Sequence, residues 1–212
     1  MSATRQTATD FKVVVVLASL GGLEALSTLL EGLPGSFDTP LILLQHGRAD
    51  PHHRDRLARL LQARTSLPVT VAADGVTAMA GVTIVPAGFS ATLSSTGRVT
   101  MLVAATHGGG DVLFRAAAAA FGPRAIAVVL TGRLRDGAQG VQAIKRRGGR
   151  VLAQHPTGAR AAGMPSAAIA TGCVDHVLPL ERIAPALVAL TMAPGGADLL
   201  AVPTPHWAML ET

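Results

Sequence analysis

Three residues stand where side chains could do chemistry together. Ser19 follows VVVVLA (13–18), His46 follows LILLQ (41–45), and Asp136 lies in RLRDG (133–137) after IAVVLTG. In open α/β sheets, ligands and reacting groups collect beyond the carboxyl ends of the strands. A hydroxyl, an imidazole and a carboxylate on one sheet edge form the complement for acyl transfer. The hydroxyl attacks, the imidazole takes its proton, and the carboxylate fixes the imidazole's tautomer and stabilises its cation. Gly21-Gly22 would turn the chain sharply after Ser19, as an elbow presenting a nucleophile does. The amides of Leu20 and Gly21 at the following helix start, with one from Gly132–Arg133, are candidate oxyanion donors.

Each residue also has a plainer reading. Ser19 could cap the helix that follows it. His46 could be a hydrogen-bonded structural histidine, and Asp136 before Gly137 a cap or turn residue. The order Ser–His–Asp matches none of the three familiar orders of such triads, so geometry must decide. By spacing alone the two readings stand level.

The elements that must position these groups follow from periodicity. Strands are expected at 12–17, 40–45, 68–72, 125–130, 150–154 and 174–178. Helices are expected at 22–31, 54–64, 111–121, 137–147, 165–171 and 180–192. Between Gly81 and Ala104, short β-like runs broken by Pro86, Gly88 and Gly97 read as hairpins. Continuous apolar strands alternating with amphipathic helices imply a doubly wound, mostly parallel Rossmann-like sheet with a β-hairpin insertion, in three αβα layers. Residues 1–11 read as a flexible arm, 12–192 as one catalytic domain, and 193–212 as a C-terminal tail.

Composition excludes several classes. The 212 residues carry a net charge of +5, but the arginines are scattered, aromatics are 3% and tyrosine is absent, so no nucleic-acid footprint emerges. One cysteine, Cys173, permits no internal disulfide, which fits a reducing, cytoplasmic location; a packed thiol is the expectation. No apolar run is long enough to insert in a membrane. His46, Asp50, His52, His53 and Asp55 lack a recognisable metal-ligand spacing, and neither a G-x-G-x-x-G nor a G-K-[ST] motif is present, so no metal or cofactor is expected. Gly108–Gly110 reads as a flexible loop before Asp111, itself a helix cap or a carboxylate behind the site, the cap being the expected role.

Seven ordered blocks carry a resemblance. They are ASLGGxEAL (18–26), QH (45–46), DGx5Gx3VPAG (74–88), DVLF (111–114), LTGxxxDGAxG (130–140), AQ (153–154) and GMPxAAI (163–169). Together, from about Lys12 to Leu190, they resemble the catalytic domain of the chemotaxis protein-glutamate methylesterases. The resemblance implies a Rossmann-like fold and a triad of Ser19, His46 and Asp136. It also implies hydrolysis of γ-glutamyl methyl esters on a methyl-accepting receptor helix or another methylated protein, with deamidation of glutamine alongside. The receiver domain that usually precedes this module is not among these residues, so a standalone module without fused phosphorylation control is the expectation.

The departures cluster around the triad. The family's GASTGG is here LASLGG, with Leu17 and Leu20 for a glycine and a threonine. Its LTGMGNDG is LTGRLRDG, which puts Arg133 where a methionine is expected. Its RPSVD is HGGGD (107–111), and after VPAG the usual histidine gives way to Phe89-Ser90-Ala91. A triad that survives in changed surroundings leaves an alternative to a full esterase: a weak or inactive relative that uses the cleft as a binding module.

Overall fold

The computed structural model describes residues 11–47, 51–103 and 108–206, with backbone alone for 51–55. Nine strands are present among them: β1 (Val13–Ala18), β2 (Leu41–Gln45), β3 (Val69–Val71), β4 (Val82–Val85), β5 (Phe89–Leu93), β6 (Val99–Val103), β7 (Ala125–Val129), β8 (Arg150–Gln154) and β9 (His176–Leu178). The helices are α1 (Gly22–Glu31), α2 (Pro51–Gln62), α3 (Gly109–Phe121), α4 (Ala138–Arg146), α5 (Gly163–Ala170), α6 (Leu180–Thr191) and α7 (Gly196–Leu199). Seven strands make one sheet in the order β3-β4-β2-β1-β7-β8-β9, and all its pairings are parallel. The fold is therefore α/β with helices on both faces, as periodicity predicts.

The strands are apolar throughout because the sheet has two cores. Along β1, side chains alternate between faces. Val14, Val16 and Ala18 join Leu26, Leu29 and Leu30 of α1 and Leu187 of α6 in one cluster. Val13, Val15 and Leu17 join Leu113 and Phe114 of α3 and Val141 and Ile144 of α4 in the other. Leu29 and Leu30 are fully buried, and cutting such a leucine to alanine costs about 2–5 kcal/mol.

Sheet order creates the crevice. From β1 the chain moves outward to β2 on one side, then returns to place β7 on the other. The loops leaving β1 and β7 diverge, and a crevice opens beyond their carboxyl ends.

Several expectations need correction. β4 is not part of a hairpin; it lies inside the parallel sheet between β3 and β2. Only four residues long and followed by Pro86, it resembles hairpin sequence, but all four of its residues are buried between neighbouring strands. The antiparallel insertion is β5–β6 alone. Gly109 and Gly110 form the first turn of α3 rather than a flexible loop, with Gly108 as its left-handed N-cap. Phe11, assigned to the arm, is buried in the first core; residues 1–10 lie outside the described residues. The tail packs as far as it is described. Ala197 of α7 is buried, and the Lys145 Nζ donates to the Val202 carbonyl at 2.6 Å. Lys145 is itself buried against Asp175, whose second carboxylate oxygen accepts the Val151 N–H at 2.6 Å. Cys173 is buried, as a packed thiol should be, and burial pushes its pKa up. Among the described residues, no helix is long and apolar enough to cross a membrane.

Candidate active site

Asp136 is the hub of the crevice. Its Oδ2 accepts from His46 Nε2 at 2.5 Å and from the Gly110 N–H at 2.8 Å. Its Oδ1 accepts from the Asp111 N–H at 3.0 Å and from the Gly137 N–H at 2.9 Å. Four donors thus satisfy one carboxylate whose side chain is 10% exposed. Two of them come from the N-terminal turn of α3, where unpaired amides and the helix dipole favour negative charge. Burial alone would raise the Asp136 pKa; the His46 hydrogen bond and the Gly110 and Asp111 amides outweigh it, and the pKa falls below its ordinary value.

That arrangement depends on small residues. A Cβ on Gly110 would lie 2.3 Å from Leu17 Cδ2 and 2.9 Å from Asp136 Oδ2. One on Gly137 would meet the same Leu17 methyl at 2.7 Å. Ser90 pins the start of α3 from the hairpin, its Oγ donating to the Gly109 carbonyl at 2.7 Å. Asp111 does not cap its own helix. Its Oδ1 accepts the Gly140 N–H at 2.7 Å, satisfying an amide in the first turn of α4. It is also the carboxylate behind the site, and burial, then the charge of Asp136, raises its pKa despite that hydrogen bond.

Ser19 sits half-buried in the turn after β1, held by its N–H to the Thr131 carbonyl at 2.9 Å. It does not cap α1: the N-cap is Gly21, at φ 82°, and no side chain bonds there. Ser19, His46 and Asp136 line one cleft of about 840 Å³, with Asp111, Arg133 and Arg135 on its walls. Sheet order alone brings the three together, since β2, β1 and β7 are adjacent. Among the described residues the Ser19 hydroxyl has no hydrogen-bond partner. Nor do the amides of Leu20, Gly21 and Arg133.

Gly132 differs from that group. Its N–H donates to the Ala161 carbonyl at 2.9 Å, so its amide is taken and cannot serve as an oxyanion donor. Its role is space: a Cβ there would lie 2.0 Å from Met164 Sδ and 2.9 Å from Ser19 Cβ. Thr131 and Gln154, which sequence reasoning did not single out, brace the same corner. The Thr131 Oγ1 donates to the Leu20 carbonyl at 2.9 Å and accepts the Ala161 N–H at 2.9 Å. Buried Gln154 accepts the Thr131 N–H at 2.8 Å and donates to the Gly158 carbonyl at 3.2 Å. These two residues lock the 156–162 loop, and with it Arg160, against the elbow. Polar residues at buried strand ends in LTG and AQ were the available signal.

Of the residues weighed for a metal, Asp50 lies outside the described residues, and the side chains of His52, His53 and Asp55 are outside the description. His46 is committed to Asp136. Among the described residues, no group of three or more His, Cys, Asp or Glu is gathered as metal ligands.

The fold and site define an α/β protein that assembles a hydroxyl, an imidazole and a carboxylate at the carboxyl edge of a parallel sheet. The CheB methylesterase family model matches residues 14–187, and the chain belongs to that family. It is 38% identical over 193 residues to a protein-glutamate methylesterase/protein-glutamine glutaminase of Moorella thermoacetica, covering 87% of this chain and 45% of the relative. A similarly named protein of Anaeromyxobacter dehalogenans is 40% identical over 82% of this chain and 52% of its own length. The chain thus spans about half the length of these curated relatives. The crystal structure of the Thermotoga maritima CheB methylesterase catalytic domain superposes with a TM-score of 0.77 at 30% identity, covering 85% of this chain and 99% of that one.

Proposed function

We propose that this chain is a serine carboxylesterase that hydrolyses γ-glutamyl methyl esters on a receptor helix or another methylated protein, and deamidates glutamine by the same route. One observation carries the reading. Asp136 holds the His46 imidazole through Nε2 in the cleft that Ser19 also lines, and the Ser19 hydroxyl does not cap α1. The names of the relatives support the substrate class.

The proposed steps draw on the His46–Asp136 hydrogen bond and on the amides left without partners at the elbow. With Nε2–H donated to Asp136, neutral His46 keeps Nδ1 as its basic nitrogen. Nδ1 takes the Ser19 Oγ proton as Oγ bonds to the ester carbonyl carbon. The oxyanion so formed is met by the free amides of Leu20 and Arg133, with Gly21 beside them at the start of α1. His46 returns the proton to the leaving methoxide, methanol departs, and an acyl-serine remains. Water then adds to the acyl carbon while Nδ1 accepts its proton. Collapse of the second oxyanion restores Ser19 and releases the glutamate side chain. Asp136 stays ionised throughout and offsets the imidazolium charge.

Ser19→Ala is the test. It should abolish methanol release from methylated receptor and hydrolysis of p-nitrophenyl esters, with an unchanged circular dichroism spectrum. A fluorophosphonate should label Ser19 in the wild type. Equal turnover in the two proteins would rule out Ser19 as the nucleophile, and no labelling at any pH would favour a non-catalytic binding module.

A further inference from the structure

Ser19 and His46 line two hollows, not one. Beside the 840 Å³ cleft that holds Arg133 and Arg135 lies a second hollow of about 470 Å³. Leu20, Gly21, Glu24, Gln45 and Arg160 are among the residues that line it. Resting on the reading of Ser19 as nucleophile, we infer that Arg160 is a specificity residue. It receives a substrate carboxylate on one side of the ester, while Arg133 and Arg135 receive another on the opposite side. The partner this selects is an acidic polypeptide segment carrying the ester between carboxylates.

The position of Arg160 is built. A Cβ on Gly21 would stand 2.8 Å from Arg160 Cβ and 3.1 Å from its Cδ, so the arginine's aliphatic stem lies across the glycine two residues after Ser19. Gly21 must be glycine twice over, for this contact and for its φ of 82°. The next residue, Ala161, is tied to Thr131 and Gly132 by its N–H and carbonyl, both at 2.9 Å. The stem is therefore fixed against Gly21, while Arg160 as a whole is exposed and lines the hollow.

The charge left over points to the ligand. Among the described residues, Arg133, Arg135 and Arg160 make no ion pair or hydrogen bond through their guanidinium groups. Arg64, by contrast, meets Glu31 at 3.0 Å. The acids nearby are committed or set apart. Asp136 is filled by four donors, Asp111 holds the Gly140 amide, and Glu24 lines the second hollow without pairing to Arg160. A guanidinium fork matches a carboxylate in shape and charge, so three unpaired forks around one serine favour anionic side chains flanking the ester.

The experiment compares two methyl-glutamyl peptides, one with glutamates flanking the ester and one with glutamines. The wild type should show a higher kcat/KM for the acidic peptide, through KM, with the preference shrinking as salt rises. Arg160→Gln should cut the acidic-to-neutral ratio about tenfold, as loss of a charge-assisted hydrogen bond does, and Arg160→Lys should restore part of it. The same ratio is read as peptide affinity by fluorescence anisotropy in Ser19→Ala and Ser19→Ala/Arg160→Gln. Failure of hydrolysis then leaves the charge selection testable. A ratio unchanged by Arg160→Gln in both assays overturns the inference. So would tighter binding of an oligonucleotide or anionic vesicles than of the acidic peptide.

Discussion

His46 gives its Nε2 to Asp136 at 2.5 Å, which leaves Nδ1 as the ring nitrogen not held by that carboxylate. The carboxylate is meanwhile held by the Gly110, Asp111 and Gly137 amides, so the imidazole is oriented by a group that cannot itself swing. In its neutral form His46 should therefore be the Nε2–H tautomer, and long-range ¹⁵N–¹H correlation spectra should show it. Asp136→Asn turns one oxygen into a donor and favours the opposite tautomer, with the proton on Nδ1. Its kcat should fall by about 10⁴-fold, as when an orienting aspartate is replaced by its amide in other serine hydrolases. A wild-type spectrum showing Nδ1–H would remove His46 as the base in the scheme above.

Asp111 sits behind that pair, and its ionisation works against folding. Burial, then the charge of Asp136, raises its pKa in the folded state. A carboxyl raised on folding favours the native state below its unfolded value of about 4 and loses that advantage as pH climbs through the folded value. Asp136, depressed on folding, contributes the opposite way: its stabilisation is present above about 4 and disappears as pH falls through its folded value. Asp111→Asn keeps an oxygen for the Gly140 N–H but carries no charge. It should stabilise the protein at pH 7 by up to about 1 kcal/mol, the scale of a partly solvated charge, and leave it unchanged at pH 3. Thermal melts at the two pH values decide; a gain that is equal at both would mean the charge is not the cause.

Much of this architecture was legible because the signals were local. β1, β2 and β7 announce themselves by unbroken apolar runs, and Ser19, His46 and Asp136 stand at the ends of those runs. What stayed hidden depends on sheet order. The amides that hold Asp136 belong to α3, a helix 25 and 26 residues away along the chain. Its first turn, GGD, reads as loop because glycines lack helix propensity. Arg160 reaches the elbow only because β8 lies beside β7 and Thr131 bonds across to Ala161. Phe11 looked like part of a polar arm because one apolar residue carries no periodicity.

Two of the departures from the family pattern meet at one contact. Leu17 stands where the family pattern has a small glycine, and Gly110 where it has a valine. A Cβ at 110 would meet Leu17 Cδ2 at 2.3 Å, so in this chain the Leu17 side chain fills the space that a side chain at 110 would need. Leu17→Gly should open a cavity and cost about 3–5 kcal/mol, and Gly110→Val should overpack and cost about 1–3 kcal/mol. The double variant should be more stable than the sum of the two predicts, with a coupling of about 1–3 kcal/mol in urea unfolding. Strict additivity would show that the two positions do not share this space.

The loop that carries Arg133 is held in a conformation its sequence resists. Among the described residues, Leu134 is the one non-glycine residue with positive φ, at 67°. It occupies the position of the second glycine in the family's LTGMGNDG. Leu134 is 64% exposed, so little packing offsets the strain. The backbone is pinned from behind: a Cβ on Gly163 would lie 2.8 Å from the Leu134 carbonyl oxygen and 2.9 Å from its nitrogen. A left-handed residue with a Cβ costs about 1–2 kcal/mol, and glycine's extra freedom in the unfolded chain takes back about 0.5–1 kcal/mol. Leu134→Gly should therefore raise stability by up to about 1 kcal/mol, seen as a higher urea midpoint at unchanged slope. The relaxed loop would also hold the Arg133 amide less firmly, so kcat on p-nitrophenyl esters should fall as stability rises. A variant that loses stability would show that the Leu134 side chain, not its φ, is what the loop needs.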